Sequence, residues 1–160
     1  MERLIMHTLD EIVADSPTFA GLAQAQLELI AGCAHNVGFE QGERLFREGE
    51  PADTFFLVRK GRVSLSTHVP ARGAMLIETL DPGEIVGWSW LFPPYVWHFD
   101  ARAADEVRAV AFDGACLRGK CEADHDLGYE LMGRFASVMI DRLQHTRLRL
   151  LDIYGDGSTS

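Results

Sequence analysis

Between Asn36 and Phe112 the apolar residues fall on alternate positions, and glycine interrupts them at short intervals. Phe55-Phe56-Leu57-Val58, Arg62-Val63-Ser64-Leu65-Ser66-Thr67 and Met75-Leu76-Ile77-Glu78-Thr79-Leu80 are β-branched or aromatic runs. The turns between such runs carry Gly42, Gly49, Gly61, Gly73 and Pro82-Gly83. Short strands of period two, with a turn every ~8–12 residues, bury a usable core only as a sandwich or barrel. The pattern predicts a β unit over residues 34–112.

Helical spacing flanks this unit on both sides. Residues 1–33 predict two helices. Leu4, Ile5, Leu9, Ile12 and Val13 mark the first; Ser16 is placed to cap the second, with Pro17 in its first turn. That second helix, from Leu22 to Cys33, is expected to bury Leu22, Leu27, Leu29 and Ile30. Helix resumes over 113–154, leaving 155–160 as a polar tail expected to fray. From Asp126 to Tyr154, the residues Met132, Phe135, Met139, Leu143, Leu150 and Ile153 recur at threes and fours. At ~1.5 Å per residue this helix runs about 40 Å, longer than a small barrel is wide. Its apolar stripe is therefore expected to overhang the domain and meet a second copy or a protein partner. The fold class is mainly β with flanking helices.

Composition narrows function. Fifteen Lys and Arg against 24 Asp and Glu give a formal net charge of −9, which argues against autonomous nucleic-acid binding, since phosphate contacts need a basic face. Acidic residues punctuate the first fourteen positions, so no secretory signal is read there. No window approaches the ~20 apolar residues that span a bilayer. Three cysteines, Cys33, Cys116 and Cys121, are few and odd in number for a disulfide scaffold. They suit a reducing, cytoplasmic setting.

All three tryptophans lie in Gly87-Trp88-Ser89-Trp90-Leu91-Phe92-Pro93-Pro94-Tyr95-Val96-Trp97. Such a run seals a core or walls a pocket. As an extended segment it puts Trp88 and Trp90 on one face, and Pro93-Pro94 favours extension. As a pocket, Trp88, Tyr95 and Trp97 stack on a flat ligand while Ser89 or His98 supplies polar contacts; as core, Trp88 and Trp90 fill that space.

Two segments resemble a known family. Gly42 to Val63 (GERLFREGEPADTFFLVRKGRV) and Leu80 to Gly87 (LDPGEIVG) are similar to the opening strands and the approach to the ligand loop of the cyclic nucleotide-binding domain. Arg142-Leu143-Gln144-His145-Thr146 resembles the dimerisation helix of the Crp/Fnr (catabolite activator) family. The resemblance covers Phe19 to Tyr154. It implies a jelly-roll (double-stranded β-helix) barrel between short N-terminal helices and a long C-terminal one. It also implies a ligand loop in which the glutamate after the glycine matching Gly87 holds a ribose hydroxyl and a later arginine pairs with a cyclic phosphate. Here those positions are Trp88 and Tyr95, and the loop is shorter. A phenol does not replace a guanidinium fork. The N–H groups of Val96 and Trp97 remain as a small anion nest, with Asp100 adding negative charge nearby. Thr146 stands where a family threonine reaches the purine base. Transcription factors of this family continue past the long helix into a helix-turn-helix module; the chain is read as the sensor part alone.

The candidate ligand-binding residues are thus Gly87, Trp88, Ser89, Leu91, Tyr95, Val96, Trp97, His98 and Thr146. Cys116, Cys121 and His125 make a C-x4-C-x3-H set too loosely spaced for zinc and are read as buried cysteines. His98 near Asp100 has no nucleophile or second acid beside it, so no catalytic residue, metal or cofactor is assigned. Gly83 and Gly87 do not make a phosphate loop. Arg142, Arg147 and Arg149 read as the solvated face of the long helix. The expected function is a non-enzymatic sensor or adaptor that binds no cAMP or cGMP in the usual way, takes a small-molecule effector of another kind, and pairs through its long helix. The alternatives are an accessory subunit of a larger assembly, such as a NiFe hydrogenase-type oxidoreductase, and a true cyclic-nucleotide regulator.

Overall fold

A computed structural model describes residues 8–158, with side chains through residue 153. Leu4, Ile5 and the last two residues of the expected tail lie outside the described residues. Two short helices come first, α1 (Leu9–Asp15) and α2 (Gln24–Ala31). Eight strands follow: β1 (Ala34–Phe39), β2 (Arg44–Phe46), β3 (Thr54–Lys60), β4 (Val63–Val69), β5 (Gly73–Leu80), β6 (Ile85–Val86), β7 (Asp100–Ala103) and β8 (Val107–Asp113). Helix α3 (Gly114–Ala123) leads into α4 (His125–Ser158). The strands form two four-stranded antiparallel sheets, ordered β1-β8-β3-β6 and β2-β7-β4-β5. This is the β unit between helices that the sequence pattern predicts, in the jelly-roll arrangement that the family resemblance implies.

The first sheet is covered on both faces, which is why β3 reads as a continuous apolar run rather than an alternating one. Phe56 and Val58 point into the barrel, with Phe46, Leu65, Leu80 and Trp97. Phe55 and Leu57 point outward under the helices, with Val13, Phe19, Ile30, Phe112, Leu131 and Phe135. The chain thus has two cores sharing one sheet.

Local chemistry sets the helix ends differently from the expectation. Ser16 closes α1 instead of opening α2: its Oγ accepts the Thr18 N–H at 3.3 Å, and its carbonyl accepts the Phe19 and Ala20 N–H groups. This hydroxyl-stabilised turn competes successfully with a helix start. Helix α2 begins later, where Gln26 reaches back to the Ala23 N–H at 3.2 Å.

The cysteines also depart from the expectation, because Cys33 and Cys116 form a disulfide. The cause is strand pairing. β1 starts beside the end of β8, with Ala34 opposite Phe112 and the Asp113 N–H on the Cys33 carbonyl at 2.8 Å. Cys116 follows one turn later on α3, where the Asp113 carboxylate caps its N–H at 2.9 Å. Cys121 stays free.

Helix α4 has two regimes. Leu127, Leu131 and Phe135 are completely buried. Past Arg142, every described residue through Ile153 is exposed. With 34 residues the helix is about 50 Å long, so its second half overhangs the helix-side core. Phe135, expected on the partner stripe, instead closes this core. Leu143, at 55 % exposure, stands on the overhang. Phe135→Ala is expected to lower stability in urea unfolding by about 3–5 kcal/mol, and Leu143→Ala to change that of the monomeric fold by no more than about 0.5 kcal/mol.

Candidate functional site

The loop between β6 and β7 is not extended. Residues Ser89–Leu91 form a 3-10 turn, the Pro93-Pro94 peptide is cis, and Tyr95 has φ of 55°. The Tyr95 N–H returns to the Phe92 carbonyl at 2.9 Å, folding the loop back on itself. The far side of the loop is laced to the β2–β3 connection. Ala52 N–H meets Tyr95 O at 2.7 Å, Trp97 N–H meets Glu50 O at 3.0 Å, and Gly49 N–H meets Trp97 O at 2.8 Å. Trp97 N–H is therefore already satisfied, which removes the expected anion nest of Val96 and Trp97. Val96 sits in an isolated bridge to Pro51.

Folding the loop this way sends its rings to different partners. Trp90 goes outward into the helix-side core, stacked on Phe55 at 4.7 Å and edge-on to Phe135 at 5.3 Å. Trp97 goes inward, stacked on Phe46 at 3.7 Å inside the barrel. Its ring passes so close to Gly87 that a Cβ there would lie 2.6 Å from it. Gly87 has φ of 96°, so this position needs glycine for both conformation and space. Tyr95 faces α3, with the Arg118 guanidinium 4.4 Å from its ring centre. The same guanidinium donates to the Trp90 carbonyl. Trp88 is half-buried against the helix-side core.

Trp88 meets the group that sequence reasoning missed. The Arg142 guanidinium lies 5.1 Å over its ring. At 8 % exposure Arg142 is buried, contrary to its assignment to a solvated face. The signal was available: Arg142 follows Phe135 by seven residues and Leu131 by eleven, on the core-facing side of α4. It donates to the Ile85 carbonyl, while its Nη1 has no protein partner. Burial pulls its pKa below the ordinary arginine range, against the opposing pull of Glu78 and Glu84. A desolvated guanidinium with one free nitrogen is a strong donor for an acceptor or anion placed there. Arg142 also lines a cleft of about 170 Å³, with Gly83, Glu84, Asp141 and His145. That volume is below the ~300–1,000 Å³ of ordinary ligand pockets.

The remaining candidates are less engaged. Ser89 is buried in the 3-10 turn and Leu91 packs against the helix-side core. His98 is exposed, and Asp100 spends one oxygen on the Glu48 N–H at 2.7 Å. Thr146 donates to the Arg142 carbonyl at 3.0 Å, one turn back on the same helix. Cys116 is consumed by the disulfide, and no three His, Cys, Asp or Glu among the described residues are grouped to hold a metal. No helix among the described residues is long and apolar enough to cross a membrane.

The family model for the cyclic nucleotide-binding domain matches residues 36–124, which spans the barrel, its loop and α3. The chain belongs to the cyclic nucleotide-binding domain family. It is 27 % identical over 145 residues to the CRP-like cAMP-activated global transcriptional regulator of Mycobacterium tuberculosis, covering 91 % of this chain and 63 % of that protein. Among solved structures, a Geobacter metallireducens protein assigned to cyclic nucleotide binding is 32 % identical. It superimposes with a TM-score of 0.77 over 86 % of this chain and 99 % of its own. The Thermus thermophilus catabolite activator protein shares the fold at 23 % identity, with a TM-score of 0.68 over 88 % of this chain and 63 % of its own. Other relatives join this domain to an enzyme: 69 residues match the acetyltransferase Pat of Mycolicibacterium smegmatis at 38 % identity, 20 % of that protein's length.

Within this cyclic nucleotide-binding domain, the Trp97 ring leaves no room for a Cβ at Gly87. Gly87→Ala is expected to lower stability by about 2–4 kcal/mol, from positive-φ strain and the ring clash together. Paired with Trp97→Leu, the loss should fall short of the sum of the single losses by about 1 kcal/mol, because only the clash is relieved. Strict additivity in urea melts would contradict the contact.

Proposed function

We propose that this chain is a non-enzymatic sensor module whose loop 87–98 no longer holds cAMP or cGMP through the usual pair of residues and responds to a different effector. One observation carries the reading. The two positions that the family resemblance assigns to ribose and phosphate are Trp88 and Tyr95, and each ring is paired with an internal arginine, Arg142 and Arg118. Trp97 meanwhile occupies the barrel space beside Gly87. An effector that suits this site offers an aromatic or apolar face to Trp88 and an acceptor to the free Nη1 of Arg142. Thr146 adds a hydroxyl one helical turn away.

Signalling runs through α4. A ligand that moves Trp88 alters the hold of Arg142 on β6, and so shifts the helix between packings it binds differently. The overhang is the output. Tyr129, Met132, Ile140, Leu143 and Leu150 are exposed along one side of α4, with Met139 half-buried among them. Ile153 lies further round, on the line of Phe135. The stripe is proposed to take a second copy of the chain, giving a parallel helix pair in the cytoplasm. Apolar exposure continues onto the edge strand β5 at Met75 and Leu76, near the point where Arg149 bonds the Ile77 carbonyl. That wider patch is what a heteromeric role, as an accessory subunit of an oxidoreductase, would use.

Calorimetry with cAMP and cGMP is expected to show no saturable binding in the micromolar range. Micromolar binding abolished by Tyr95→Ala would restore the ordinary regulator reading. In sedimentation equilibrium the wild type is expected to be a dimer and Leu143→Glu with Leu150→Glu a folded monomer. A wild-type monomer that co-purifies in a defined heteromeric complex from its host would move the assignment to the accessory role.

A further inference from the structure

Helix α3 is held between α2 and the loop. At its start, Cys116 is bonded to Cys33, which is 5 % exposed and sits between α2 and β1. Gly114 packs so closely on Trp90 that a Cβ there would lie 2.9 Å from the Trp90 Cβ. Two residues beyond Cys116, on a different face, Arg118 grips the loop through the Trp90 carbonyl and the Tyr95 ring. Further along, Lys120 Nζ donates to the Leu29 carbonyl at 2.7 Å. Leu117 is completely buried, so α3 has a hydrophobic anchor besides its covalent one. The bridge can therefore open without releasing the helix, but α3 then loses its fixed distance from β1.

We propose that Cys33–Cys116 is a reversible thiol–disulfide site for dithiol reductants, and that its state sets how firmly α3 holds the loop 88–97 through Arg118. The regulatory consequence rests on the reading of that loop as the effector site. Cys116 is half-buried and Cys33 buried, so the reductant's thiolate attacks the Cys116 sulfur. This forms a mixed disulfide and expels the Cys33 thiolate, which takes up a proton. The second thiolate of the reductant then displaces Cys116, which is protonated in turn. The protein gains two electrons and two protons, and the reductant leaves as its own disulfide. The reverse exchange re-forms the bridge. In a reducing compartment a disulfide of this kind is transient and sensory rather than structural. Cys121 is free of the bridge, and burial first, then Asp124 and Glu122, raise its pKa, which disfavours its thiolate as a competing nucleophile.

The sequence supplies the readout, since Trp88, Trp90 and Trp97 all lie in the loop and no other tryptophan exists in the chain. The full chain is equilibrated in reduced and oxidised dithiothreitol buffers. Denatured alkylation with mass detection counts thiols, and intrinsic emission follows the loop. The count is expected to pass reversibly from one to three with retained circular dichroism, while emission shifts with the same midpoint. Cys116→Ser is expected to give the reduced emission in every buffer. In Arg118→Ala the thiols should still titrate while the emission shift shrinks several-fold. Three alkylated cysteines in the oxidised buffer, unfolding on reduction, or thiol titration with constant emission would each overturn the proposal. No ligand enters these measurements, so a loop without an effector leaves them unchanged.

Discussion

The packing of Trp90 against Phe55 and Phe135 holds the rest of the structure in place. Trp90 comes from the loop, Phe55 from β3, an interior strand of the shared sheet, and Phe135 from the long helix. Phe55 meets Phe135 edge-on at 5.1 Å, and Phe112 stacks on Phe55 at 4.5 Å behind them. Aromatic contacts of this geometry contribute ~0.5–1.5 kcal/mol each beyond their area burial. More important than the total is that three elements with different roles share one close-packed cluster. A densely packed interior shifts between discrete arrangements and does not deform continuously, so a displaced loop has to be answered by the helix.

Arginines complete what the rings begin. Arg134 donates to the Thr18 and Ala20 carbonyls, Arg142 to Ile85 and Arg149 to Ile77, so α4 is tied successively to the α1–α2 connection, to β6 and to β5. Each acceptor is a main-chain carbonyl in a turn or at a strand position open to α4. Arg134 and Arg142 each keep a buried nitrogen without a partner, Nε and Nη1, and of the two Arg142 is the residue that is itself buried, with Trp88 over its guanidinium. It is therefore the place where the attachment of helix to barrel and the recognition of a ligand draw on the same group.

The fold was legible because glycine turns and period-two runs act locally. Positive φ at Gly42, Gly49, Gly61, Gly73 and Gly83 is what the turns require. The fate of the aromatic run was not legible, because Trp90 and Trp97 separate into two cores only once the loop turns back at Phe92–Tyr95. Periodicity alone placed Phe135 on the partner stripe, because its helical phase is next to that of Met139, yet the side chain is fully buried against Phe55 and Trp90. Arg142 was misread for the opposite reason, since its charge outweighed the helical phase that put it two turns beyond Phe135. The Cys33–Cys116 bridge depends on the register of β1 with β8, a pairing between residues far apart in sequence that composition cannot reveal.

The central claim is that loop 88–97 and helix α4 move as one unit through Trp90 and Phe135. Hydrogen–deuterium exchange of the loop amides in Phe135→Leu tests it most directly, because the substitution is on the helix and the readout is in the loop. The account predicts faster exchange across residues 88–97 with β4 and β5 unchanged. Loop exchange identical to that of the wild type, in a protein destabilised only within α4, would contradict it.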